Sequence, residues 1–365
     1  MIGAGGTLAH AQGLRPVRTG HHPPLDRDFF DRAEALAESE VAVSRRFTAL
    51  KNSLASSTMF EDPWLHPRPA LEQFFADVYY EVAAGSQPAF GVFVELLHLY
   101  SVVIASTTNW MACRSHMGLI GKLLRVELDR CAGDQLSIIT FNQDLLLENE
   151  LQCLPKRYGT LNLHELYGNI DMLSLTHRGL PEDEKFDIST RARAGRLPVR
   201  LLKLHGSLNW SLRTTSRNPK LGTLFPSPQQ AQSRRVYLIQ SRKVRDDISM
   251  RSQSTTGRTS WYLWPLVVPP IYDKQRVTAM NTLTKAWDQA RASLEQAERI
   301  VLLGYSMPEA DILAKQLLRR GFSRNSGLTA LECINPDVSL VAKLKQALAP
   351  EVIRIFESVS SYLPA

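Results

Sequence analysis

Residues Leu201 to Trp210 read LLKLHGSLNW. A short apolar run ends in His205-Gly206, which puts one imidazole at the end of a buried strand, beside a residue that admits close approach of backbone or ligand. An imidazole there can exchange a proton near neutral pH, and a hydrogen-bonded structural histidine is the alternative use of the same position. A second group stands where the strand-like run Leu136 to Phe141 stops at Asn142-Gln143-Asp144. The amide of Asn142 can both donate and accept, whereas Asp144 offers charge; either residue can face a ligand or cap the helix that begins near Leu145. A third is Met1-Ile2-Gly3-Ala4-Gly5-Gly6, a strand running into a glycine turn of the kind that lets backbone approach a pyrophosphate. Only two residues precede its glycines, where a strand usually has about five or six. Gly304-Tyr305-Ser306 and Asn335-Pro336 follow two further apolar runs.

The elements that must position these groups are clearest in the last hundred residues. A helix over 277–298, a strand Arg299 to Leu303, a helix carrying Leu317 and Leu318, a strand Thr329 to Ile334, a helix over Val338 to Leu344 and a strand Val352 to Phe356 alternate. That alternation predicts an α/β fold with a Rossmann-like, doubly wound parallel sheet. In such a sheet the strand ends share one edge, so all five groups line one nucleotide-sized crevice.

Two parts depart from the alternation. Residues 24–130 form a large helical insertion, with stripes Phe29, Phe30, Ala33, Leu36, Ala37 and Leu71, Phe74, Phe75, Val78, Val82, and with His98 and His116 expected to be structural. Residues 211–259 form a small variable strand and loop region with ten Lys or Arg against Asp246 and Asp247, an excess of eight in a chain whose net charge is +7. That concentration fits either a solvated basic face or contact with nucleic acid or an acidic protein. Between the two, 151–200 reads as a loop-rich connection.

Composition narrows the class. With 44% hydrophobic and 22% charged residues, the 365-residue chain is globular rather than disordered and long enough for a large single core or two domains; of these, one domain spanning 1–365 is expected. The longest apolar stretch, Phe90 to Ala105, carries Glu95 and His98 and reads as a buried helix. The opening residues lack the pattern of a secretory leader, so a cytoplasmic location is expected. Cys113, Cys131, Cys153 and Cys333 form no Cys-x-x-Cys pair, which predicts buried, reduced thiols and no metal site.

The ordered set resembles the sirtuin-like superfamily, in particular its divergent bacterial branch that hydrolyses NAD in antiphage defence. Gly3-Ala4-Gly5 resembles the family's phosphate-holding Gly-Ala-Gly turn. In Thr140-Phe141-Asn142-Gln143-Asp144, residues Thr140, Asn142 and Asp144 match Thr-Gln-Asn-Ile-Asp, while Phe141 and Gln143 depart from it. His205-Gly206 is similar to the catalytic His-Gly, Gly304 and Ser306 to Gly-Thr-Ser near the ribose, and Asn335 to the Ile-Asn on the adenosine side. The runs 203–210 and 303–311 resemble the defence-type branch, and the likeness spans nearly the whole chain.

The resemblance implies an NAD glycohydrolase, with NAD as substrate, Asn142 and His205 catalytic, and Gly3, Ala4, Gly5, Thr140, Asp144, Gly304, Ser306 and Asn335 binding the dinucleotide. Deacylating sirtuins carry a four-cysteine zinc module after His-Gly, whereas 207–303 has no cysteine, so zinc is not expected. Protein deacylation, ADP-ribosyl transfer and a non-catalytic nucleotide- or nucleic-acid-binding subunit stand as alternatives. The implied partners are further copies of the chain, a ring-forming ATPase or a nucleic-acid-binding activator; no membrane is implied.

Overall fold

The structure is a computed structural model that describes residues 1–13, 22–65, 67–108, 118–131, 134–155, 162–168, 170–175, 198–214, 230–231, 234–239, 250–253, 260–271, 280–305, 307, 311–337, 340, 342–344 and 353–363. It is mixed α/β, with small parallel and antiparallel sheets.

The helical layer follows the apolar stripes. Helices α1 (Ala4–Gly13), α2 (Phe29–Ala37), α3 (Val41–Ser57), α4 (Leu71–Ala83), α5 (Gln87–Thr108) and α6 (Leu119–Arg130) precede the first full strand. Four of the five stripe residues on α2 and all five on α4 are buried, because spacings of three and four keep them on one face. Ala37 packs part-buried against the same core. Phe30 takes edge contacts from Phe29, Trp64 and Phe74, and the Trp64 indole donates to the Phe30 carbonyl at 3.0 Å. Helix α5 is long and apolar enough to cross a membrane, yet much of its surface is buried against α3 and α4. His98 on α5 is buried and stacks on Trp264 at 4.6 Å; His116 lies outside the described residues.

The parallel strands are β1 (Leu136–Thr140), β3 (Val199–Lys203), β8 (Arg299–Leu303), β9 (Ala330–Ile334) and β10 (Ile353–Phe356), all close to their expected positions. They form a two-stranded sheet, β1-β3, and a three-stranded sheet, β10-β9-β8, rather than one continuous sheet. Between β1 and β8 the chain start is inserted, with Ile2 making isolated parallel bridges to Thr140 and Leu303. The chain turns helical at Ala4, so the opening glycines form the first turn of α1 rather than a free loop.

Helices α7 (Leu146–Gln152) and α8 (Leu163–Leu166) and strand β2 (Met172–Leu175) follow β1, giving the expected loop-rich connection some regular structure. Within the variable region the described residues form strands, in keeping with the expected strand and loop character. Strands β4 (Gly206–Thr214), β5 (Val236–Ile239), β6 (Met250–Gln253) and β7 (Ser260–Val267) join β2 in a five-stranded sheet, order β2-β5-β4-β7-β6, antiparallel except for β2 with β5. The apolar run after 260 is thus a sheet strand, with Trp264 and Leu266 buried. Most of the basic residues of 211–259 lie outside the described residues.

Helices α9 (Asn281–Gln296), α10 (Ile312–Arg324) and α11 (Val359–Tyr362) complete the order. Ile312 is exposed at the first turn of α10, whereas Leu317 and Leu318 are buried. Cys333 is buried as expected, but Cys131 is only partly so and Cys153 is exposed. Among the described residues no group of three His, Cys, Asp or Glu side chains is placed to hold a metal ion.

Candidate active site at the strand ends

His205 sits at the corner where the chain leaves parallel strand β3 and enters antiparallel strand β4. Two features fix that corner. Gly206 has φ +76°, and a Cβ there would lie 2.0 Å from the Leu266 carbonyl oxygen, so only glycine fits. Backbone bonds from Leu204 N–H to the Thr140 carbonyl and from Val268 N–H to the His205 carbonyl, each 2.9 Å, tie the corner to both sheets.

The imidazole is buried among aromatic rings. Phe141 lies 4.9 Å away and Trp287 6.4 Å away, centroid to centroid, while Phe141 itself stacks on Tyr305 at 5.3 Å. The Trp287 indole is pinned by donating to the Leu204 carbonyl at 2.9 Å. Phe141, where the sirtuin pattern has glutamine, therefore supplies the ring that spans His205 and Tyr305. The Nε2 of His205 is 4.0 Å from Oδ1 of Asp311, and the Tyr305 hydroxyl donates to the other Asp311 oxygen at 3.5 Å. Burial and the neighbouring Asp311 carboxylate both push the Tyr305 hydroxyl well up, which keeps it a neutral donor.

Asn142 is half-buried beside this group. Its Nδ2 donates to the Gly3 carbonyl at 3.1 Å and to the Thr7 hydroxyl at 2.8 Å, and the Thr7 hydroxyl donates onward to Oδ2 of Asp144 at 3.4 Å. Both amide protons are thus spent on Gly3 and on Thr7 of α1, so among the described residues the carbonyl oxygen Oδ1 is the side-chain group that could face a ligand. Asp144 accepts from the Leu146 N–H at 2.8 Å, which is its capping role; burial pushes its carboxyl up, against the lowering effect of the nearby Lys203 ammonium. Thr140 is fully buried and donates to the Ile2 carbonyl at 2.8 Å.

The glycine turn and Gly304 meet backbone to backbone. Gly304 has φ +57°, and a Cβ on it would lie 2.1 Å from the Gly6 nitrogen. Gly5 N–H donates to the Gly304 carbonyl and Gly6 N–H to the Gly3 carbonyl, at 3.1 and 2.9 Å. Two N–H groups that a phosphate cradle would use are therefore committed inside the protein. Asn335 is committed too: its Nδ2 donates to the Tyr305 carbonyl at 3.3 Å and its Oδ1 accepts from Asp337 N–H at 2.9 Å. Ala4 opens α1, and Ser306 lies outside the described residues.

Beneath the site runs a buried polar network. Lys203 Nζ donates to Oε1 of Glu148 at 2.9 Å and to the Asp144 carbonyl; the Tyr167 hydroxyl donates to Glu148 at 2.7 Å and accepts from Asn209 at 3.0 Å. Lys203 and Glu148 are almost wholly buried, so each depends on the other for charge compensation. Lys203 and Asn209 flank His205 in the run first singled out: Lys203 ties the end of β3 to Asp144 and to Glu148 on α7, and Asn209 ties β4 to Tyr167 after α8. Glu148, Tyr167, Thr7 and Trp287 carried no sequence signal as site residues, since each is recognisable only by its partner. Asp311 stood inside a noted run without a role.

A scan of the sequence against protein-family models gives no match, and a search of curated proteins likewise gives none.

Proposed function

We propose that the chain is an NAD glycohydrolase built on a Rossmann-like, doubly wound sheet, cleaving NAD to nicotinamide and ADP-ribose. The observation that carries the reading is the convergence of Asn142, His205 and Asp311 with Gly3 and Gly304 at one edge of the parallel strands, in the order in which the sirtuin-like motifs occur along the sequence. The fold reading is supported by five parallel strands and by the bridges of Ile2 to β1 and β8.

In the proposed reaction the bond between the nicotinamide nitrogen and ribose C1′ breaks, its electron pair leaving with neutral nicotinamide. Water adds to C1′ and gives up one proton. His205 receives that proton, directly or through a ribose hydroxyl, and the Asp311 carboxylate holds the imidazole for this task. Oδ1 of Asn142 accepts from the water or a ribose hydroxyl, while the rings of Phe141, Trp287 and Tyr305 exclude bulk water. Because Gly5, Gly6 and Asn335 have spent polar groups internally, recognition rests chiefly on the nicotinamide-ribose end. The absence of cysteine from 207–303 favours water over an acyl-peptide as acceptor.

As a cytoplasmic antiphage effector, such an enzyme requires control, and assembly with further copies or with an ATPase or nucleic-acid-binding partner is the proposed trigger. The test is chromatographic detection of nicotinamide and ADP-ribose after incubation with NAD, in the isolated and the assembled protein. Turnover that disappears in both Asn142→Ala and His205→Ala supports the reading. Undiminished turnover in both removes it.

A further inference from the structure

We infer that Tyr305 is a positioning residue for the reaction: its hydroxyl shares the Asp311 carboxylate with His205 and thereby sets the pH range over which the imidazole takes up a proton. The kinetic part of the inference rests on the hydrolase reading; the contacts and the titration of His205 do not.

Tyr305 is buried, and its position is fixed from several sides. Gly304 before it has φ +57° and Met307 beyond it has φ +52°, so two left-handed residues bracket it. A methionine keeps that conformation only where its surroundings over-determine it, and such positions gather at functional sites. Met307 is itself buried. The Tyr305 carbonyl accepts from Nδ2 of Asn335 at 3.3 Å, and its ring stacks on Phe141 at 5.3 Å with 28° between the planes. These contacts hold the backbone and the ring without using the hydroxyl.

The hydroxyl has a task of its own. A ring that only excludes water needs no oxygen, as the adjacent Phe141 illustrates, and a buried hydroxyl is costly unless it is bonded. That of Tyr305 donates to Oδ2 of Asp311 at 3.5 Å, while Oδ1 of the same carboxylate lies 4.0 Å from Nε2 of His205. Both separations exceed a full hydrogen bond of roughly 2.5 to 3.2 Å. The two oxygens belong to one rigid planar group, so a shift that brings Oδ1 to His205 draws Oδ2 away from Tyr305. The two donors therefore compete for Asp311.

Tyr305 competes as a constant donor. Burial and then the Asp311 carboxylate push its hydroxyl well up, so it keeps its proton throughout the range in which an imidazole titrates. His205 becomes the stronger donor only when it is protonated. The charged groups of the adjoining elements are engaged with one another or with α1. Asp144 after β1 accepts from Leu146 N–H and from Thr7, and Lys203 on β3 donates to Glu148 on α7 and to the Asp144 carbonyl. From α9 the imidazole meets the neutral ring of Trp287, and from α10 the Asp311 carboxylate. Removing the Tyr305 hydroxyl lets Asp311 turn fully to His205, which favours the imidazolium.

The test is an NMR titration of the His205 signal in the ligand-free chain, identified by its absence from His205→Gln. It compares the parent, Tyr305→Phe, Asp311→Asn and the double variant. Tyr305→Phe keeps the stacked ring, and the His205 midpoint should rise by about 0.5 to 1 pH unit. In the Asp311→Asn background the same change should leave the midpoint where it is. In the active assembly the acid limb of kcat for NAD should move up with the midpoint, with KM changed by no more than about twofold. An unmoved or lowered midpoint, an equal shift in both backgrounds, a limb that stays put while the midpoint moves, or a Tyr305→Phe chain that fails to fold would each overturn the proposal. Absence of NAD turnover in the parent removes the hydrolase reading instead, and the titration still decides whether Tyr305 acts through Asp311.

Discussion

Nε2 of His205 and Oδ1 of Asp311 lie 4.0 Å apart, although 106 positions separate them in the sequence. The contact joins the corner after β3 to the start of α10. In the proposed mechanism Asp311 acts through His205, so its removal should leave substrate binding largely intact. Asp311→Asn should lower kcat for NAD about 10- to 100-fold, with KM changed by no more than about twofold. Steady-state kinetics on the active assembly give both constants, and an unchanged kcat would count against the pairing.

Asn142 has a structural as well as a proposed chemical task, because its amide protons hold α1 to the end of β1. Asn142→Ala removes both bonds, leaving the Thr7 hydroxyl short of a donor and the Gly3 carbonyl with its bond from Gly6 N–H. A loss of about 1 to 3 kcal/mol in unfolding free energy is expected, measurable by urea denaturation. Asn142→Asp should be no milder, since a carboxylate facing the Gly3 carbonyl replaces a donor by a second acceptor. A variant as stable as the parent would show that these bonds contribute nothing net.

The buried pair of Lys203 and Glu148 should be asymmetric under mutation. Lys203→Met leaves the Glu148 carboxylate buried without its cation, at a cost of about 3 to 5 kcal/mol. Adding Glu148→Gln to that variant should recover a substantial part of the loss, because the uncompensated charge disappears. A double-mutant cycle in urea would show this as strong coupling; simple additivity would mean that the two groups do not depend on each other.

His10 and Glu150 make a pH-dependent contact near the buried end of α1. His10 Nδ1 accepts from Ile120 N–H at 3.3 Å, so its proton sits on Nε2, 3.4 Å from Oε1 of Glu150. Burial brings the imidazole down to about 4 and pushes the Glu150 carboxyl up to about 8, partly opposed by Arg125. Each group therefore favours its neutral form near pH 6, and the contact is not an ion pair there. The folded state holds an extra proton on Glu150 between its ordinary value of 4.5 and about 8, so this group's contribution falls as pH rises through that range. The unfolded state holds an extra proton on His10 between about 4 and 6.5, so that contribution rises with pH. The two slopes oppose each other up to pH 6.5; above it the Glu150 loss is set against the buried Met1 amine, which burial brings down to about 5 from 8.0 and whose contribution rises with pH over the same range. Relative to Glu150→Gln, the parent should lose about 1 to 2 kcal/mol of unfolding free energy from pH 6.5 to 8. A difference between the two curves that stays level or changes in the other direction over that interval would contradict the assignment.

The sequence by itself determined the parallel strands, the helical stripes and the places where strands end, because each is written in local periodicity and in residues such as Gly206 and Gly304 that only particular backbone shapes require. It also singled out His205 and Asn142. What it left open depends on partners distant along the chain. A repeat of two or three and a half residues states which face is buried but not against what, so the five-stranded sheet around β4, the stacking of Phe141 on Tyr305 and the approach of Asp311 to His205 were decided by tertiary packing. Hydrogen-bond economy explains the rest. Asn142, Asp144, Gly5 and Asn335 are residues whose polar groups suit a ligand or a fold equally well, and only the folded chain, by placing Gly3, Thr7, Gly304 and Tyr305 within reach, committed much of that capacity to the fold.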